Sequence, residues 1–305
     1  MKITKPGIYR NIESADYFAD PCPEPSLSQS ICKVILERSL LHAKYEHPRL
    51  APPAIDEDDG EKYVKAQAIG NAAHAIMIGR GKTLEVIKAN DFKGGEAKKL
   101  RDAAFAAGKS PILDKHLTVA SAIVACGFEQ LNPHDDRNAF TSGAGEVALI
   151  WQEDGIWCRA LVDWLHDDLR TVDDYKTSGI SMAPHVIGMQ AEKAGWHVQA
   201  AFIERGLDML DPDGAGRRRF RFIAQEQTRP YALTCMHMNE YWLTMGRKKV
   251  QAAMTLWRVA MSSGKWPAYG NHAVVPDYPG FREKQWLDRE MSGEFEPDPK
   301  LIMAG

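Results

Sequence analysis

The sequence predicts an α/β fold, a sheet flanked by helices with an added helical region at the amino terminus. Three observations predict it. Apolar residues recur at helical spacing through residues 1–127; short runs rich in Val, Ile, Leu and Trp take over near residue 145; the order after that is three strands, helices, two strands and a helix. The chain has 305 residues, 44% of them apolar and 26% charged, enough to bury a substantial core. One main domain is expected over residues 1–270. Residues 271–305, with four of the 17 prolines, read as an irregular extension.

The elements follow in order. GIYRNI is extended, and the proline- and serine-rich PCPEPSLSQS supplies helix caps for one helix over ICKVILERSLLHAKY, from about Ser28. APPAIDEDDG is a loop. Residues 61–79 form the second helix, with Val64, Ala68, Ala72 and Ile76 as an apolar stripe, and residues 96–108 and 111–127 form two more. GEVALIWQ, GIWCRALVDWL and DLRTVDDYKTS make an antiparallel meander, turned first at Glu153-Asp154-Gly155 and then at His166-Asp167-Asp168. Helices over 181–194 and 196–209 follow, then a DPDGAG turn, strands RRFRFIAQEQ and YALTCMHM, and a closing helix over about 239–263. The sheet core therefore spans about 145–238.

Several classes are excluded by composition. No window approaches the roughly 18 apolar residues of a membrane span, and the amino terminus lacks a secretory core, so a cytoplasmic location and no membrane partner are expected. Cys22, Cys32, Cys126, Cys158 and Cys235 are scattered, without a Cys-x-x-Cys pair, which argues against a disulfide framework, a zinc site and an iron–sulfur cluster. A net charge of −3 gives no global pull towards nucleic acid, so DNA contact would rest on basic patches at 88–101, 217–229 and 247–258. Such patches are also what solvated helix and strand faces look like.

The constellation that carries chemistry is Glu146, Asp163, Asp174 and Lys176. Positions i and i+2 of a strand share a face, so Asp174 and Lys176 project into one pocket, and Asp163 on the preceding strand can reach it. Carboxylates gathered this way bind hard cations such as magnesium, which polarise a phosphate and acidify a bound water; a lysine beside them offsets charge in phosphoryl transfer. Asp/Glu-x-Lys occurs four times, and only Asp174-Tyr175-Lys176 ends a strand-like run eleven residues after another strand-ending aspartate. Solvated turn carboxylates look the same in isolation. His74 lies among alanines and isoleucines, as packing histidines do, but Gly70, one turn earlier, signals a close approach by a backbone or ligand. Gln199 can hydrogen-bond a phosphate or base, or sit at a surface. Trp151, Trp157, Trp164 and Trp196 read as core.

GNAAHAIMI, EVALIWQEDGIWCRALVDWL, DDYKTS and HVQAAF, in that order, resemble the motifs of the PD-(D/E)xK nuclease superfamily, most closely the exonuclease VIII (RecE-like) group of phage and prophage recombination nucleases. PSLSQSICKVILERS and SGKWPAYG resemble that group's flanking segments, so the likeness runs from about residue 7 to 269. It implies a restriction-endonuclease-like central mixed β-sheet. It also implies His74, Asp163 and Asp174 as metal ligands, Lys176 as the catalytic lysine, Glu146 as a further acidic site residue and Gln199 as the DNA-contacting glutamine of a Gln-x-x-x-Tyr motif. Asp174 stands where some relatives have glutamate, and Ile203 stands where the motif has tyrosine. The implied activity is Mg2+-dependent degradation of linear double-stranded DNA from its ends, 5′ to 3′, with Mn2+ able to substitute and no iron–sulfur cluster. The 3′ strand would pass to a single-strand annealing recombinase, and the implied assembly is a ring-shaped homo-oligomer. A restriction-type endonuclease and a non-catalytic DNA-end-binding module are the alternatives.

Overall fold

The computed structural model describes residues 2–53, 63–270 and 272–296. Its centre is a six-stranded mixed sheet in the order β1-β4-β5-β6-β7-β8, formed by β1 (Gly7–Tyr9), β4 (Gly143–Glu153), β5 (Ile156–His166), β6 (Thr171–Ser178), β7 (Arg219–Glu226) and β8 (Leu233–His237). Strands β4, β5 and β6 form the expected antiparallel meander, whose first turn is the two-residue Asp154-Gly155 loop, both residues at positive φ. The crossover from β6 to β7 makes a parallel pair, in register from Thr171–Arg219 to Ser178–Glu226.

Helices cover both faces. On one lie α2 (Gln29–Glu37), α8 (Trp196–Leu210) and α9 (Glu240–Ser263), packed on Val147, Leu149, Val172 and Phe222. On the other lie α4 (Lys65–Ile78) and α6 (Asp114–Leu131), packed on Tyr175 and Ile223. Successive β6 residues thus serve different layers, and the even positions Asp174 and Lys176 belong to the α8 side. Short α1 (Ser14–Phe18) and α3 (Leu40–Glu46), together with α5 (Gly95–Ala106) and α7 (Ile187–Ala194), are the other α-helices among the described part of residues 1–268, one of two compact units.

Four expectations change. The helix expected over ICKVILERSLLHAKY is two, because Arg38 leaves helical geometry and Ser39 caps α3 by accepting from His42 N–H. Residues 111–113 are not helical: Ser110–Leu113 is strand β3, paired in parallel with the unanticipated β2 (Leu84–Ile87) in a separate sheet. Helix α7 begins only after Pro184, which lacks an N–H and disfavours helical geometry in the residue before it. The extension expected to be irregular holds α10 (Gly280–Met291), in the second compact unit, residues 269–305. Residues 61–62 of the expected second helix, and 54–60 of the preceding loop, lie outside the described residues.

Candidate active site

Strands β5 and β6 pair only at Trp164–Asp173 and Leu165–Val172, then separate. Past that fork, the Tyr175 N–H donates to Asp163 Oδ2 at 3.1 Å, so a carboxylate takes the place of a ladder partner. Helix α4 reaches the fork from one face and α8 from the other. Gly70 permits the first approach: a Cβ there would lie 2.8 Å from Thr177 Oγ1, so the glycine marks contact with side chains at the end of β6.

Five of the six sequence-derived site residues meet at this fork. His74 Nε2 is 3.3 Å from Asp163 Oδ2, Lys176 Nζ is 2.5 Å from Asp174 Oδ1, and Gln199 Nε2 donates to Asp174 Oδ2 at 2.5 Å. Glu146, the sixth, stands beside them on β4. It is buried, accepts a hydrogen bond from Ser14 Oγ at 2.8 Å, and adopts φ 48°, an unusual backbone for a glutamate within a strand. Ile203 is buried in the apolar core one turn beyond Gln199, so that motif position supplies packing and not a hydroxyl.

The electrostatics of the two aspartates diverge. Burial pushes the Asp163 carboxyl up, but the His74 hydrogen bond and charge, Lys176 and the Tyr175 N–H together hold it below the usual carboxylate range. Asp174 is raised to about 6 by burial and by the neighbouring Asp163 charge, against the opposing pull of Lys176 and His74. Burial opposes the charged forms of His74 and Lys176, yet the carboxylates outweigh it and both stay above their ordinary values. Asp174 Oδ1 is buried with the Lys176 ammonium at 2.5 Å as its ion-pair partner. An imidazole and two mutually repelling carboxylates are a donor set that fits a divalent cation, which His74, Asp163 and Asp174 would hold.

A cleft of about 360 Å³ opens beside the fork, lined by Phe18, Ser28, Lys33, Asp163, Lys176 and Gln199. The first three come from the amino-terminal region and were not singled out from sequence. Ser28 read only as a helix cap, which it is, accepting from Ile31 N–H at 3.4 Å. Also unanticipated is the support behind β6. Asp173, fully buried on the opposite side of the strand from Asp174, pairs bidentately with Arg221 at 2.5 and 2.9 Å and bonds His166 at 2.7 Å. One basic patch proves largely paired within the chain and the other two in part. In 217–229, Arg218 and Arg221 are buried in ion pairs; in 247–258, Arg247, Lys249 and Arg258 bind Glu204, Glu192 and Asp154. In 88–101, Lys99 and Arg101 pair with Glu96 and Asp102.

No helix among the described residues is long and apolar enough to cross a membrane. Among curated proteins, none matches the sequence. The crystal structure of a candidate exonuclease from Eubacterium rectale shares the fold with a TM-score of 0.54 at 11% identity, over 93% of this chain and 98% of that one. The family model described as "PDDEXK-like domain of unknown function (DUF3799)" matches residues 54–276. That is more than half of the chain, and it agrees with the fork, the fold and the motif order: this protein belongs to the PDDEXK-like family DUF3799.

Proposed function

We propose that the chain is a divalent-metal-dependent deoxyribonuclease that degrades linear double-stranded DNA from its ends, 5′ to 3′, with Mg2+ as the working ion and Mn2+ as a substitute. The observation that carries this reading is the convergence of His74, Asp163, Asp174 and Lys176 at one strand fork, beside a cleft that Asp163 and Lys176 line. Membership of the PDDEXK-like family supports nuclease chemistry. End-dependence is supported by the motif resemblance and by the likeness to a candidate exonuclease.

The residues divide the work. His74, Asp163 and Asp174 would hold a divalent cation, which would supply Lewis-acid polarisation of the scissile phosphate and a lowered pKa for water. Lys176, anchored on Asp174, places an ammonium where charge builds on the phosphate oxygens. Gln199 fixes the second oxygen of Asp174, and the Tyr175 N–H and His74 together fix Asp163, so both carboxylates are oriented before substrate arrives. Glu146, held by Ser14, adds negative charge near His74. The product would be a 3′ single strand for an annealing recombinase, and a ring-shaped homo-oligomer would keep the enzyme on its duplex.

End-labelled linear duplex tests this with Mg2+ and again with chelator. Release of nucleotides that stops with chelator, while closed circles survive, is the expected result. Asp174→Asn and Lys176→Ala should each lower the rate at least 1,000-fold, with folding unchanged by circular dichroism. Undiminished cleavage by either purified variant refutes the assignment. Cutting of closed circles would support the endonuclease reading instead. Light scattering with and without duplex tests the ring.

A further inference from the structure

Away from the fork, a second group of metal-binding side chains gathers where the segment after α6 meets the end of β8. His134, Asp136 and Cys235 each present one ligand atom, and these atoms lie within 4.8 Å of one another. His237 adjoins them, its Nε2 being 2.8 Å from Asp136 Oδ2. The donors arrive as two pairs, His134-x-Asp136 from the loop and Cys235-x-His237 from the strand, and residues two apart on a strand share a face. Magnesium and calcium take oxygen ligands. A set with one carboxylate, one sulfur and up to two imidazoles suits zinc.

The spacing agrees. In a tetrahedron built on Zn–N and Zn–O bonds of about 2.0 Å and a Zn–S bond of about 2.3 Å, ligand atoms stand roughly 3.3–3.6 Å apart. His134 Nδ1 is 3.6 Å from Asp136 Oδ2. His237 Nε2 must draw back by about 0.5 Å to join on that geometry, and its side chain is 59% exposed, free to do so. Asp136 gives its other oxygen, Oδ1, to Arg221 at 3.3 Å, which leaves Oδ2 facing the group. The contacts to be surrendered include the hydrogen bond that the Asp136 N–H donates to His134 Nδ1 at 3.0 Å and the one between His237 Nε2 and Asp136 Oδ2 at 2.8 Å.

We propose that His134, Asp136 and Cys235, with His237 completing the set, form a zinc site that ties the segment after α6 to the sheet-edge strand β8. Binding exchanges the Cys235 thiol proton for a Zn–S bond and involves no change of oxidation state. The site is structural, against the expectation drawn from the scattered cysteines, because it takes one sulfur with a carboxylate and imidazoles in place of a Cys-x-x-Cys pair. Through Asp136 it braces Arg221, whose guanidinium grips Asp173 on the strand that carries Asp174 and Lys176.

Cobalt(II), which takes zinc sites and reports its ligands by colour, provides the test on the full chain, kept reduced with a phosphine. The expected result is a near-ultraviolet thiolate-to-cobalt charge-transfer band that saturates at one equivalent per chain and is bleached by zinc. It should persist in Asp174→Asn, since the fork offers no sulfur, and vanish in Cys235→Ser. His134→Ala, at a half-exposed position, should weaken cobalt binding at least tenfold while the circular dichroism stays that of the parent chain. Zinc should raise the Tm of the parent chain and of Asp174→Asn by several degrees. It should not raise the Tm of His134→Ala. No thiolate band in the parent chain, or an undiminished band in Cys235→Ser or His134→Ala, overturns the site.

Discussion

Asp20 shows how much one carboxylate contributes in this fold. Its side chain is fully buried, its Oδ1 accepts from Ser26 Oγ at 2.7 Å, its Oδ2 accepts from Ser26 N–H at 2.9 Å, and Arg159 lies 3.3 Å away. Burial raises its pKa, but His47, Arg159 and Ser26 outweigh this and hold it at about 2, against 3.8 in an open chain. A carboxyl depressed on folding contributes stability that is complete above the unfolded pKa and lost as pH falls through the folded one. The window here is pH 4 to 2 and the amount about 2 kcal/mol. Urea denaturation at steps through that window should show the loss, and Asp20→Asn should be less stable at pH 7 by a similar amount while losing less on acidification. An identical acid limb in both proteins would remove Asp20 from the account. From sequence, Asp20 looked like any loop aspartate, since nothing local announces a partner at position 159. Asp174 and Lys176 were legible for the opposite reason: strand period alone puts them on one face. Asp173 escaped notice because its partner, Arg221, is distant in sequence and lies in what read as a basic surface patch.

At the scale of elements, strong periodicity was readable and short pairing was not. The meander and its Asp154-Gly155 turn, and the helices α4, α5, α8 and α9, follow from spacing and turn residues. Strands β2 and β3 are four residues each and are defined by pairing with one another, so neither carries a local signature. The fork between β5 and β6 was hidden for the same reason: sequence placed both aspartates at strand ends but could not show that the ladder stops after two pairs. Packing between helices is equally non-local, as Gly246 on α9 shows. By propensity it costs its helix about 1 kcal/mol relative to alanine. A Cβ there, however, would stand 2.1 Å from the His197 carbonyl oxygen and 2.8 Å from Ala201 Cβ on α8. Neither can step aside without moving a helix. Gly246→Ala should therefore destabilise by about 1–3 kcal/mol, lowering the Tm by several degrees, as in other overpacked cores. Because α8 carries Gln199, the fork should also loosen and cleavage should slow. A Tm equal to or above the parent's would mean that the helices separate at no cost.

For the whole molecule, the distribution of core decides what the carboxy-terminal residues contribute. Every hydrophobic cluster among the described residues draws its buried members from positions 3 to 260: the α2–α8–α9 side of the sheet, the α4–α6 side, and the small group under β1. Residues 269–305 form their own compact unit, and α10 within it buries no residue. Within it, Trp286 stacks on Phe295 at 4.6 Å and Arg289 lies over both rings. Stability scales with apolar area removed from water, and none of the described residues of this unit is buried, so these add little to the stability of the rest. A chain ending at residue 268 should fold, with a Tm within about 2 °C of the parent's by calorimetry. If the fork is the catalytic centre, that chain should also digest end-labelled duplex, because all six candidate residues and the cleft precede the cut. Where the exposed Phe281 and Met291 of α10 serve DNA or a second copy of the chain, the truncation would shorten the tract digested per binding event and leave single-turnover cleavage intact. A truncated chain that melts far below the parent would show that residues 269–305 supply core to residues 1–268, and the division at residue 268 would fall with it.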